Sequence, residues 1–315
     1  MGRAVLHRAV AAVILFLVIS FLVFSLLALA PGSLETTLLG ARPATPELIA
    51  AIRAEYHLDD PFLVQYLRWL GGAVQLDFGR SIVSGAPVLA IVSERLLVSV
   101  QLAVLALVFA AVLAIPAGMM AAAAKGRARD RMATFTSVLA MSAPPFVVGT
   151  LLIYLFGVYW SVLPVYGAGT EGFDRFRHLI LPAVSLGLGL GAIIFRQTRA
   201  AALDVLDQDF ITFARARGLS RTRVAVTYAL RNVALPIVAS LGLVLIVALP
   251  GAVLIEVVFS IPGFGSMMVE AVGAKDVPVV QGLALFSAVY VVAVTILVDM
   301  ASAAVDPRLR RAEAR

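Results

Sequence analysis

Leu102-Ala-Val-Leu-Ala-Leu-Val-Phe-Ala-Ala-Val-Leu-Ala-Ile115 contains no polar side chain, and the uncharged stretch around it runs from residue 96 to residue 124. At 1.5 Å rise, about twenty apolar residues cover a hydrocarbon core about 30 Å thick, so this stretch reads as a membrane helix. Five more segments qualify along the chain: residues 9–30, 132–159, 179–195, 233–259 and 277–305. The expected fold class is an all-α membrane protein with six transmembrane helices. Composition agrees, since 61% of the 315 residues are hydrophobic and 14% charged, with a mean hydropathy of +1.00. Such values exclude a water-soluble enzyme. The chain has no cysteine, which excludes disulfides, thiolate nucleophiles and cysteine-based metal sites.

The fourth segment is the shortest. Its Ser185-Leu-Gly-Leu-Gly-Leu-Gly191 stretch is rich in small residues, which let another backbone approach closely in lipid, so it is expected inside a bundle. The second and third segments overrun a bilayer and contain Pro116 and Pro144-Pro145, where tilts or kinks are expected. The first ends in Ala28-Leu29-Ala30, similar to a signal-peptidase site, but Pro31 follows and the apolar run exceeds that of a signal peptide. It reads as a retained helix.

Basic residues set the orientation. Arg3 and Arg8, the Lys125–Arg131 cluster, seven arginines from Arg196 to Arg231, and Arg308, Arg310, Arg311 and Arg315 make seventeen of the 25 on one face. By the positive-inside rule that face is cytoplasmic, which places both termini there. The expected organisation is a first helix at 1–30, an extracytoplasmic loop or cap at 31–95, a core at 96–305 with a cytoplasmic loop at 200–232, and a tail at 306–315. Within the cap, residues 47–53 and 62–69 have helical patterns.

The loop at 200–232 is basic and patterned as helix, turn and helix. In Asp209-Phe210-Ile211-Thr212-Phe213-Ala214-Arg215-Ala216-Arg217-Gly218-Leu219-Ser220, the residues Phe210, Phe213 and Ala214 share one face of a short amphipathic helix, with Gln208, Thr212 and Arg215 on another. Gly218 allows the helix to stop, and Ser220 is placed to cap a following helix through Arg221–Arg231. From pattern alone, an interfacial helix whose arginines meet lipid phosphates fits equally well.

Beyond pattern, Ala214-Arg-Ala-Arg-Gly218, with Ala229-Leu-Arg-Asn232 and Leu235-Pro236, resembles the "EAA" loop of permease subunits of ABC importers. Further stretches are similar, in order and spacing, to the peptide/nickel branch of that family: His57-Leu-Asp-Asp-Pro-Phe-Leu-Val-Gln-Tyr66 and Asp77-Phe-Gly79, Phe259-Ser-Ile-Pro-Gly-Phe-Gly265, Val277-Pro-Val-Val-Gln-Gly282, Leu297-Val-Asp299 and Asp306-Pro-Arg-Leu-Arg310. Thr212-Phe213-Ala214 stands where the general pattern has Glu-Ala-Ala, so only Ala214 and Gly218 carry over. The resemblance implies a type I importer bundle in which residues 209–220 form the surface that couples to an ATPase. It implies two ATPase subunits (or one fused) that bind ATP and Mg²⁺, a second similar permease and an extracytoplasmic solute-binding protein. The implied cargo is a di- or oligopeptide, with nickel or another small solute as the alternative. The chain has no G-x-x-x-x-G-K-[ST] of its own, so no cofactor is expected on it.

Three polar residues in the spans are candidates for either a pathway or a structural role: Gln101, Glu256 and Asp299. An ionisable group at a helix centre costs about 2.5–3.5 kcal/mol, yet Glu256 and Asp299 lie near span ends, where pairing is the expectation. His7, His57 and His178 are scattered, so no metal site or catalytic histidine is expected, and Tyr159, Trp160 and Tyr166 suit an interfacial aromatic belt. Neither G-x-S-G nor H-E-x-x-H occurs, which argues against an intramembrane enzyme. A self-sufficient secondary transporter should show paired interrupted helices or mid-membrane coupling carboxylates, and these are missing.

Overall fold

A computed structural model describes residues 2–28, 45–55, 57 and 59–305. The stretches 29–31 and 306–310 singled out above, and the tail at 306–315, lie outside the described residues. In chain order the helices are α1 (Gly2–Ala28), α2 (Pro46–Glu55), α3 (Phe62–Val74), α4 (Val88–Ala123), α5 (Ala128–Ser142), α6 (Pro145–Leu152) and α7 (Gly172–Leu206). They continue as α8 (Asp209–Ala216), α9 (Leu230–Val258), α10 (Phe264–Gly273) and α11 (Val277–Val305). A π-helical stretch Ile153–Tyr159 extends α6, and a turn Arg221–Arg223 followed by a second π-helical stretch Val224–Ala229 leads into α9. Among the described residues no strand forms, and the one extended pairing is an isolated bridge between Arg80 and Pro87.

Among the described residues four helices are long and apolar enough to cross a membrane: Val88–Ala123, Gly172–Leu206, Val224–Val258 and Val277–Val305. A fifth span is available if the bent pair Ala128–Ser142 and Pro145–Tyr159 is one broken crossing, and α1 carries a shorter apolar stretch, Val13–Ser25. The bend is 94°, where the sequence predicts only a kink. A residue preceding proline is driven out of the α region, and here two successive residues precede prolines. Ala143 (φ −78°, ψ 120°) and Pro144 (φ −59°, ψ 130°) are both extended. Pro116, Pro182, Pro236 and Pro250 stand singly and lie inside continuous helices.

Two expected boundaries are corrected. The fourth span is not short, because α7 covers 35 residues; the charged residues from Arg175 to His178 and at Arg196 and Arg199 end the apolar run without ending the helix. The helix after Ser220 is likewise not separate from the fifth span. It runs without interruption through Val224–Val258, since Arg231 and Asn232 are polar but helix-compatible, and Asn232 Nδ2 donates to Tyr228 O at 2.7 Å.

The chain divides into two compact units. The first comprises Val98–Ser266 and the segment from Ala293 onward. At its centre is α7, 61% of whose apolar window is buried against 22% for α11. The core joins Leu102 and Ala106 of α4, Leu179, Leu181 and Leu186 of α7, and Ala252, Ile255 and Phe259 from α9 and its end. The small-residue stretch explains this position. A Cβ at Gly187 would lie 2.9 Å from the Ala106 carbonyl oxygen, and one at Gly191 would lie 3.6 Å from Ala110 Cβ, so two glycines one turn apart admit two alanines one turn apart. Gly189, on another face, has nothing nearer than 3.8 Å. Gly187→Val is therefore expected to abolish the monodisperse elution of detergent-solubilised protein, whereas Gly189→Val leaves it intact; equal behaviour of the two variants contradicts this packing.

The second unit comprises Gly2–Leu97 and Met267–Val292. The expected helical patterns at 47–53 and 62–69 appear as α2 and α3. Tyr66 of α3 shares a 2.9 Å hydrogen bond with Ser20 of α1 and packs edge-on against Phe21 at 5.2 Å. A turn-rich segment follows α3, and the carboxylate of the buried Asp276 holds it, accepting from Ser81 Oγ at 2.5 Å and from the Ile82 N–H at 3.1 Å.

Candidate functional site at the turn between α7 and α9

The segment singled out by its sequence folds as a knob. Gln208, extended at φ −78° and ψ 149°, separates α7 from α8. Eight residues are too few for an isolated helix to persist in water. α8 is therefore held by burial: Ile211 and Ala214 are 0% and 5% exposed and pack with Val224 and Ala229 against Met119, Val205, Leu206 and Leu219. Gly218 takes φ +79°, the left-handed conformation that favours glycine. Its N–H donates to Arg215 O at 3.0 Å and the Leu219 N–H donates to Ala214 O at 3.3 Å, which closes the helix end. Ser220 caps as expected, with its Oγ accepting from the Arg223 N–H at 3.3 Å.

Burial divides the face that Phe210, Phe213 and Ala214 share by spacing. Ala214 is buried beside Ile211, while Phe210 and Phe213 are 40% and 68% exposed. Spacing of i and i+3 fits either 210/213 or 211/214, and only the way α8 is tethered between α7 and the Gly218 turn selects the second pair. Arg215, Ala216, Arg217, Gly218 and Ser220 are also exposed, with Leu219 half-buried. Two phenylalanines are thus presented among arginines on an open turn. Ile211, which buries the knob, was missed because the adjoining Phe210 and Phe213 carry the same i, i+3 signal with larger side chains.

The three candidate polar residues are not brought together. Gln101 Oε1 accepts from Arg175 Nη1 at 3.5 Å, an interhelical contact between α4 and α7. Asp299 is half-buried on α11. Glu256 is fully buried, accepting from Ser99 Oγ at 2.5 Å and from the Ser266 N–H at 2.8 Å. Ser99 Oγ in turn accepts from the Phe264 N–H at 2.7 Å, and a Cβ at Gly263 would overlap the Glu256 carboxyl. Glu256 is thus a joint between α4 and the corner after α9. Ser99 and Ser266 were missed as its partners; no spacing links Ser99 to a residue 157 positions away. The aromatic residues Tyr159, Trp160 and Tyr166 are all exposed at and beyond the end of the α6 extension.

Long apolar helices packed through small residues define a multi-pass membrane protein. Residues 114–311 match the family of the binding-protein-dependent transport system inner membrane component, and residues 1–103 match the N-terminal part of such membrane components. The chain belongs to this family. It is 36% identical to a probable peptide ABC transporter permease of Sinorhizobium fredii over 98% of this chain and 100% of that one. It is also 36% identical to the dipeptide transport system permease of Escherichia coli, over 98% and 99% of the two chains. Identity to the glutathione transport system permease of Escherichia coli is 34%, over 97% and 98%. A methionine ABC transporter solved in inward-facing conformations has the same fold, with a TM-score of 0.58 and 16% identity over 69% of this chain and 96% of that one. The chain is therefore a membrane-embedded transport component and not an enzyme.

Proposed function

We propose that this chain is the permease subunit of an ATP-driven importer of di- or oligopeptides, forming half of the translocation pathway. The observation that carries this reading is the end-to-end similarity to permeases named for peptide, dipeptide and glutathione transport. In the proposed assembly α1, α4, the α5–α6 pair, α7, α9 and α11 make six crossings, with both termini cytoplasmic because seventeen of the 25 basic residues then lie inside. Residues 31–95 face the extracytoplasmic solute-binding protein. A second permease completes the pathway, and two ATP-binding cassette subunits carry ATP and Mg²⁺.

The knob at 209–220 is the docking surface for the ATPase. Apolar side chains exposed outside the spans mark sites that a partner covers, and aromatic and arginine residues are those enriched at interface centres. ATP binding draws the ATPase subunits together, and the buried pair Ile211 and Ala214 passes the movement to the ends of α4 and α7 and to the Val224–Ala229 stretch that leads into α9. The pathway then alternates between inward- and outward-facing states, each biased only by differential affinity. Co-expression with its genomic neighbours and purification on a tag carried by this chain are expected to yield an ATPase and a second permease. Transport by the chain alone in liposomes, driven by an ion gradient, would overturn the reading.

A further inference from the structure

Between α5 and α7 lies an open cleft of about 520 Å³ lined by Thr134 and the exposed Met141 on one side and by Ile193, Phe195 and the exposed Arg196 and Gln197 on the other. Arg199 also borders it, and the two arginines differ in state. Arg199 is neutralised by the buried Asp130, with Nε to Oδ1 at 2.7 Å and Nη2 to Oδ2 at 2.9 Å. Among the described residues no carboxylate pairs with Arg196. The contact of its guanidinium is Nη1 to Met141 Sδ at 3.6 Å, and a thioether is a weak acceptor. Thr134 Oγ1 is buried without a hydrogen-bond partner. The cleft thus places an unneutralised guanidinium and an orphaned hydroxyl beside an apolar wall of Met141, Ile193 and Phe195.

We propose that this cleft is a binding site for the terminal carboxylate of the transported peptide, with Arg196 as its anchor and the apolar wall taking the adjoining side chain. The inference rests on the peptide-import reading above. A guanidinium fork matches a carboxylate in two parallel hydrogen bonds, and the volume lies within the usual range of small-molecule sites, about 300–1,000 Å³. Asp130 sets the selectivity by cancelling Arg199, so that one positive charge remains for one carboxylate. An anionic lipid headgroup offers similar oxygen chemistry, and the experiment separates the two.

The test uses the complete permease–ATPase complex in nanodiscs, without the binding protein, and a pool of labelled di- and tripeptides prepared as free acids and as C-terminal amides. Arg196→Gln is expected to weaken free-acid binding by about tenfold or more, Arg196→Lys to retain part of it, and amides to bind wild type as weakly as acids bind Arg196→Gln. Unchanged elution and an unchanged thermal midpoint in detergent establish that the variants are folded. Equal binding of acids and amides by wild type, or equal binding of acids by wild type and Arg196→Gln, overturns the site. Loss of co-purified phosphatidylglycerol from Arg196→Gln with peptide binding unchanged assigns the cleft to lipid and also overturns it. Uptake is measured in parallel in proteoliposomes supplied with the binding protein. Failure of wild type to accumulate any peptide sinks the import reading itself, whereas accumulation without acid preference sinks only the site.

Discussion

Gly218→Asp abolishes ATP-driven uptake while the chain still inserts and assembles its helices: that is the expected result at the knob. The backbone there is at φ +79°, and a Cβ would meet nothing within 4 Å. Asp and Asn are the non-glycine residues that visit this conformation most readily, at a cost on the order of 1 kcal/mol, which a chain of this size tolerates locally. The lost function then comes from a carboxylate placed between Arg215, Arg217 and the exposed Phe213, where the ATPase is proposed to seat. Gly218→Asn keeps the backbone effect without the charge and is expected to retain most uptake. Phe213→Ala tests the same surface independently. A side chain 68% exposed contributes little to the chain's own stability, but an aromatic at an interface centre is worth about 2 kcal/mol or more, roughly thirtyfold in affinity. The measurements are uptake at matched membrane abundance and co-purification of the ATPase. Wild-type values for both Gly218→Asp and Phe213→Ala would remove the coupling role from this turn.

Glu256→Ala should be the most destabilising single truncation in the first unit. Its carboxylate serves the Ser99 hydroxyl and the Ser266 N–H, and Ser99 in turn serves the Phe264 N–H. Removing it strands buried donors at about 1–3 kcal/mol each and leaves a cavity, for a total of about 3–5 kcal/mol. Glu256→Gln can keep its oxygen on the Ser266 N–H while its amide donates to Ser99 Oγ, which costs only the bond the Ser99 hydroxyl donated, so its thermal midpoint should fall between those of wild type and Glu256→Ala. Gly263→Val should behave like the alanine variant, because its side chain would occupy the space of the carboxyl. Thermal unfolding in detergent followed by size exclusion separates these outcomes. If Glu256→Ala keeps the wild-type midpoint but loses uptake, the residue belongs to the pathway and not to the joint.

Much of this was visible in the sequence, for a local reason. Hydropathy and helical preference act within a few turns, so the apolar runs declared the long helices, Pro144-Pro145 declared a disruption, and Gly218 with Ser220 declared where α8 stops and the next helix begins. The order of motifs across the chain declared the family. What the sequence left open depends on approach between distant segments. Phe210 and Ile211 are neighbours with similar hydropathy, and only the packing of Met119, Val205 and Val224 against one side of α8 buries Ile211 and leaves Phe210 out. Arg196 and Arg199 are identical residues three positions apart on one helix, and only Asp130, brought from α5, neutralises one of them. Glu256 is a costly carboxylate by its position alone; Ser99, arriving from α4, makes it a joint. Charges and hydroxyls take their roles from partners that sequence distance does not reveal, because those partners meet only once the helices have packed.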